Sequence, residues 1–186
     1  MFADLNTASP TLKAELASDG EAHGVRFADV AVLAPVPRSG VRTPLMTSGP
    51  GAEQARDLLA ASGAVVEAIP GDAGDAAARK LLRSVFMKGL ATTVIESLEG
   101  ARAAGCEDWL RGQIIAELSG DAGALIDRLE SGSRQHAGRR AHEVADAGDY
   151  LAALGKPHWV ADAAGQWFAE LLSAKEAESP ESRPTP

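Results

Sequence analysis

Cysteine is nearly absent from this sequence, Cys106 being the only one. That excludes a disulfide framework and any multi-cysteine zinc site. Positive charge is also short, with 18 basic residues against 26 acidic ones and a formal net charge of −8. A general nucleic-acid binder needs a concentrated basic face, so that class is set aside. No apolar run approaches the ~20 residues that cross a bilayer, and no membrane role is expected. The opening stretch MFADLNTASP carries an aspartate and no basic n-region, so it does not read as a secretory signal. No metal-ligand set stands out either. What is present is an ordinary globular composition, 45% hydrophobic and 24% charged over 186 residues. Wholesale disorder is excluded, and the length suits one good-sized domain or one domain and part of another. A cytoplasmic protein is expected.

Two patterns divide the chain. Up to about Gly71, short apolar runs alternate with helical stretches. Phe2 to Leu5 predicts a strand ending in the turn Asn6-Thr7-Ala8. Ser9-Pro10 then predicts a helix start, because serine caps well and proline at the first position loses no hydrogen bond. Val25 to Leu33, Pro44 to Thr47 and Ala64 to Ile69 predict three further strands, with a helix over Ala52 to Ala61. The span from Leu33 to Pro44 holds Pro35, Pro37 and Gly40 and leaves no room for a crossover helix. Its two flanking strands are therefore expected to be antiparallel neighbours in a mixed sheet. From Asp75 on, the pattern is helical: Asp75 to Ala104, Glu107 to Leu118, Ala122 to about Leu154 with a break near Ser131-Gly132-Ser133, and Pro157 to Ala174. The apolar side chains of the long helix, among them Leu81, Leu82, Val85, Phe86 and Ile95, cover too wide a surface for a helix lying on a protein surface. Burial by later helices or by a second subunit is expected. The expected division is 1–70, 71–175, and a disordered charged, proline-rich tail over 176–186.

Three stretches could carry chemistry. Gly49-Pro50-Gly51-Ala52-Glu53-Gln54 follows a strand and opens a helix, but Gln54 stands where a dinucleotide fingerprint needs its third glycine. An ordinary turn is the plainer reading, and no other stretch supplies that motif. Lys80, Ser84 and Lys88 recur every four residues along one face of the long helix. A lysine bordering an apolar surface either snorkels to water, the plainer reading from spacing alone, or sits partly desolvated. In the second case its pKa falls and suits it to acid/base work. Arg134, His136, Arg139, Arg140 and His142 form a basic cluster suited to an anion, with a solvated helix face balanced by Glu143 and Asp146 as the plainer alternative. Cys106 lies beside Glu107 and Asp108 and reads as structural; Trp109, Trp159 and Trp167 read as core or interface residues.

Taken in order, these motifs resemble the β-hydroxyacid dehydrogenase and 6-phosphogluconate dehydrogenase superfamily, and within it a branch with a helical C-terminal domain of unassigned function. Asp4-Leu5-Asn6-Thr7-Ala8-Ser9-Pro10 resembles the family turn beside the nicotinamide ribose. Asp29 to Pro35 takes the place of the substrate-carboxylate loop, with Leu33-Ala34-Pro35 replacing its Ser-Gly-Gly. Thr43 to Gly49 resembles the next family strand. Gly71-x-x-Gly74 through Lys80 and Ser84 resembles the catalytic motif, with Ser84 in place of an asparagine. Glu96 and Ala104-Gly105-Cys106 fall at later features of the same helix. The likeness covers about residues 2 to 172.

The resemblance implies an α/β plus all-α protein, a C-terminal remnant of a Rossmann-type domain followed by an all-α helical domain. It implies an NAD or NADP cofactor and a small hydroxy acid or carbonyl substrate. Lys80 would be the acid/base catalyst and Ser84 would orient the substrate. Asn6, Thr7 and Arg140 would face the cofactor, and Leu33, Ala34 and Lys88 the substrate. The family's G-x-G-x-x-G segment has no counterpart here, which suggests a truncated or short-form member, inactive in this form on one reading. A homodimer is expected. The alternative is a non-catalytic helical homodimerisation module.

Overall fold

A computed structural model describes residues 1–178. Four short strands form one mixed sheet in the order β1-β2-β3-β4: β1 (Phe2–Asp4), β2 (Phe27–Val32), β3 (Leu45–Ser48) and β4 (Val66–Ala68). β1 pairs parallel with β2, β2 antiparallel with β3, and β3 parallel with β4. The expected mixed sheet and the antiparallel step at its centre are both present. Every residue of β2 from Phe27 to Ala31 is buried, so this strand has a core on each face. Ala28 and Val30 pack with Leu45 and Ala55 on one side. Ala31 packs with Ile69 and Ala76 on the other, with Leu33 and Met46 beside them.

Eight α-helices surround or follow the sheet among the described residues. α1 (Pro10–Ala22) starts as its sequence demands, with the Leu12 N–H donating to Ser9 Oγ at 3.2 Å. The span expected to be free of helix contains one turn of it, α2 (Val36–Ser39), then a 3₁₀ turn over Gly40–Arg42. Pro37 sits in that first turn, where its missing N–H costs nothing. The turn is too short to reverse the chain, so the antiparallel pairing stands. α3 (Ala52–Ala61) follows β3, and α4 (Asp75–Ala103) follows β4.

Beyond these come α5 (Glu107–Leu118), α6 (Ala122–Gln135), α7 (Ala137–Ala153) and α8 (Trp159–Glu178). The break expected near Ser131-Gly132-Ser133 falls at His136 instead. Ser131 Oγ and Ser133 Oγ donate to the carbonyls of Asp127 and Leu129, one turn earlier, and so stay within the helix. Of the tail expected from Glu176, the first three residues close α8 and the rest lie outside the described residues. Among the described residues, no helix is long and apolar enough to cross a membrane.

The described residues form two compact units, Met1–Lys88 and the part from Gly89 onward. The first extends past residue 70 because the opening turns of α4 carry Ala76 and Ala77, both buried, with Ala76 in the sheet's second core. Glycine makes that approach possible. A Cβ on Gly74, whose φ is +108°, would lie 2.6 Å from the Pro10 carbonyl oxygen.

Several apolar residues expected to be covered are open to solvent. On α4, Leu82 is 72% exposed, Val85 74% and Phe86 60%. Trp109, Trp159 and Trp167 are exposed too, which rules out the core reading for them and leaves the interface reading. Cys106 is exposed at the start of α5 rather than a packed structural residue.

Candidate functional site

The site grows from a problem in the sheet. Parallel pairing sets Asp4 directly opposite Asp29, and both are buried. Two adjacent carboxylates in a sheet repel and lose hydration. The chain meets this with a third buried charge, Lys13 of α1, which is 1% exposed. Its Nζ donates to Asp4 Oδ2 at 2.9 Å and to the Asp4 carbonyl at 3.0 Å. It also lies 3.1 Å from Asp29 Oδ1, a charge contact without hydrogen-bond alignment. A lysine at the fourth position after an N-cap serine thus becomes the centre of the first unit.

Each carboxylate has a second task. Asp4 Oδ1 accepts the Asn6 backbone N–H at 3.0 Å and Asn6 Nδ2 at 2.7 Å, which closes the turn leading to Thr7. Burial works to raise the Asp4 carboxyl, but Lys13 and the Asn6 donors hold it below the usual carboxylate range. Asp29 Oδ2 accepts the Ala77 N–H at 2.8 Å, and Ser48 Oγ accepts the Ala76 N–H at 3.0 Å. The first turn of α4 is therefore satisfied from the sheet, with negative charge placed where the helix dipole favours it.

One turn further along α4, Lys80 reaches back to this turn, its Nζ donating to Thr7 Oγ1 at 2.8 Å. Burial pushes its pKa down, Lys13 and Lys88 push the same way, and Asp29 opposes them. Asn6, Thr7, Ala8, Asp29, Ala31, Ala77, Lys80 and Leu81 line a small recess of about 10 Å³. That is about the space of one water, so the recess marks where Lys80 can meet a reacting atom and does not enclose a ligand. A half-buried lysine with a weakened hold on its proton, fixed by a hydroxyl, can exchange a proton with such a group.

The structure thus brings together Lys80, Asn6 and Thr7 from the sequence-derived set. Ser84 is half-buried a turn beyond Lys80 and Lys88 is exposed a turn after that; neither lines the recess. Leu33 packs into the sheet's second core, with its N–H bonded to the Pro44 carbonyl at 2.9 Å, and Ala34 follows it half-buried. Arg140 belongs to the second unit, where its Nη1 donates to Ser133 Oγ at 3.0 Å. The rest of that basic cluster is engaged locally: Arg134 pairs with Glu130, Arg139 with Glu143, and His142 Nδ1 contacts the Gly138 carbonyl. The Gly49-Pro50-Gly51 turn is an ordinary one, since the Gly51 N–H bonds to the Phe27 carbonyl.

The sequence motifs give Lys13 and Ser48 no role of their own and hold Asp29 only as part of a loop motif. One signal was readable: an acid in the middle of the apolar run Val25 to Leu33, and a lysine one residue after Leu12 on the helix that must cover it.

Residues 101–171 match the family described as Domain of unknown function (DUF1932). An uncharacterised 28.5 kDa protein of Methanothermus fervidus is 28% identical over 156 residues, which make up 81% of this chain and 58% of that protein. A solved protein of unknown function, described as structurally similar to 3-hydroxyacid dehydrogenases, is 30% identical with a TM-score of 0.56, the match covering 94% of this chain and 66% of that one. An imine reductase from Aspergillus terreus, solved in complex with NADPH4 and a dibenzazepine, aligns with a TM-score of 0.76 at 16% identity, covering 94% of this chain and 64% of that one. At that identity the likeness is one of fold. The chain spans under two thirds of the length of each of these proteins.

Proposed function

We propose, from a chain that carries the DUF1932 domain on a 3-hydroxyacid dehydrogenase-like fold, that this protein serves NAD(P)-dependent oxidation of the CH–OH group of a small hydroxy acid, or reduction of the corresponding carbonyl. The observation that carries the reading is Lys80 held by Thr7 at the mouth of a small recess, its pKa lowered by burial. Asn6 and Thr7 would stand beside the nicotinamide end of the cofactor, outside the small recess that they line with Lys80. When bound, the cofactor supplies or accepts hydride. Lys80 gives a proton to the substrate oxygen in reduction and takes one in oxidation. A lowered pKa serves both directions near neutral pH. Ser84 would orient the substrate from the next turn of α4. Phosphate recognition needs a glycine-rich cradle of a kind the described residues do not contain.

A second reading is a non-catalytic helical module that pairs with its own copy. The exposed stripe of Leu82, Val85 and Phe86 on α4 favours it. The dimer itself is compatible with both readings. Titration with NADH and NADPH followed by fluorescence separates them. Micromolar binding supports the oxidoreductase; no binding up to millimolar cofactor removes that reading for this chain. Sedimentation at micromolar protein is expected to show a dimer, and a stable monomer would contradict it.

A further inference from the structure

We propose that Lys13 is a positioning residue for Lys80: its buried ammonium ties the Asp4 turn that presents Thr7 to the Asp29 carboxylate that caps the helix carrying Lys80. The proposal rests on the acid/base role given to Lys80 above. Its geometry is a closed chain of contacts. Lys13 holds Asp4, Asp4 holds Asn6, and the turn so formed places Thr7 Oγ1 2.8 Å from Lys80 Nζ. On the other arm Lys13 faces Asp29, and Asp29 fixes the Ala77 N–H three residues before Lys80. Thr7 and Ala77 are thereby both held at the lining of one recess.

The same arrangement sets charge. The charged groups acting on Lys80 are Lys13 from α1, Asp29 from β2 and Lys88 from α4 itself. Lys13 and Asp29 act in opposite senses, the first disfavouring a proton on Lys80 and the second favouring it. Lys13 does not line the recess, so it acts through charge and placement and not by touching substrate. Hydrophobic packing alone would have covered the strand with an apolar residue at this position. A buried cation there leaves Asp29 neutralised yet still able to cap α4.

Competitive acetylation of the full chain, read by mass spectrometry for each lysine, tests this without substrate or cofactor, because only the neutral amine reacts. Lys13→Met is expected to slow acetylation of Lys80 at pH 8 by roughly three- to tenfold, since a like charge is removed and Asp29 is left to hold the proton. Asp29→Asn is expected to speed it. Lys13→Arg keeps the charge and is expected to stay near the starting rate. A purely structural Lys13 would instead loosen the site in both Lys13→Met and Asp29→Asn and move Lys80 the same way in each. That shared direction, or an unchanged rate in Lys13→Met, overturns the proposal. If Lys13→Met does not fold, Lys13→Arg and Asp29→Asn decide: an altered rate in the first or a slower or unchanged rate in the second overturns it. Failure of nicotinamide binding would remove the oxidoreductase reading and leave this measurement standing.

Discussion

Two helices in this chain begin under a carboxylate from a distant part of the sequence, and the two are not equivalent. At α4, Asp29 and Ser48 accept the N–H groups of Ala77 and Ala76. At α8, both oxygens of Glu96 serve, accepting from Val160 at 2.8 Å and Ala161 at 2.9 Å. Glu96 is half-buried, so water shares its solvation. Asp29 is 0% exposed and stands beside a second buried acid. Burial is what makes the difference. A half-buried cap can remain a cap, whereas a fully buried one requires a counter-ion, and that counter-ion is Lys13. The charge that solves a folding problem in the first unit is then available to act on Lys80. In the second unit Glu99, Arg102, Glu107, Arg111 and Lys156 instead form an exposed or half-exposed ion-pair network, of a kind worth little to stability.

The strongest way to break this contrast is to remove each cap in turn. Asp29→Ala leaves Lys13 with one carboxylate fewer and the Ala77 N–H without its acceptor. A loss of about 3–5 kcal/mol is expected, the range for breaking a buried pair by removing one partner. Glu96→Ala is expected to cost about 1–2 kcal/mol, the range for a helix cap that water can partly replace. Urea unfolding of both variants measures the two losses. Equal losses would mean that burial does not distinguish the caps.

The positions of the four strands were legible because apolar runs alternate with turn residues, and the antiparallel step between β2 and β3 because Pro35, Pro37 and Gly40 leave no room for a crossover helix; the parallel pairings were not. Ser9-Pro10 located the start of α1 and the bounds of α5 followed from Glu107 and Leu118. The break at His136 was misplaced because serine in mid-helix can bond back one turn, which no local pattern distinguishes from a helix end. At the site, Lys80, Asn6 and Thr7 were legible through motif resemblance, and the structure unites them. Lys13 was not, since its partners come from two strands and only the parallel register brings Asp4 and Asp29 side by side. A lysine near a helix start ordinarily points to water. Likewise the exposure of Leu82, Val85 and Phe86 cannot be read from periodicity, which says that a face is apolar and not what covers it.

Proton linkage sharpens the contrast from the opposite direction, with smaller effects. Asp4 is held below its ordinary value of 3.8, so its contribution to the first unit is complete above that value and is lost as the pH falls through the lowered one. His158, beside Asp162 at 2.9 Å, is raised above its ordinary 6.5 by that hydrogen bond and charge. Its contribution to the second unit is therefore complete below 6.5 and lost as the pH rises through the raised value. Amide exchange is expected to show the Asn6 N–H, which Asp4 accepts, losing protection in acid, and the Asp162 N–H, which the His158 carbonyl accepts, losing some in mild alkali. Loss at both sites under one condition would show that the units do not respond separately.

Lys80 carries the smallest and most diagnostic effect. Its folded-state pKa lies below the ordinary 10.5, chiefly through burial. The folded protein therefore holds this proton less well than the unfolded chain does. Charged Lys80 works against folding, and the penalty is relieved as the pH rises through the lowered value. Lys80→Met is accordingly expected to leave the melting temperature at neutral pH unchanged or slightly raised while removing turnover in any active form. A clear loss of stability would mean that Lys80 is part of the scaffold that Asp29 and Lys13 build, and not the residue that scaffold holds in place.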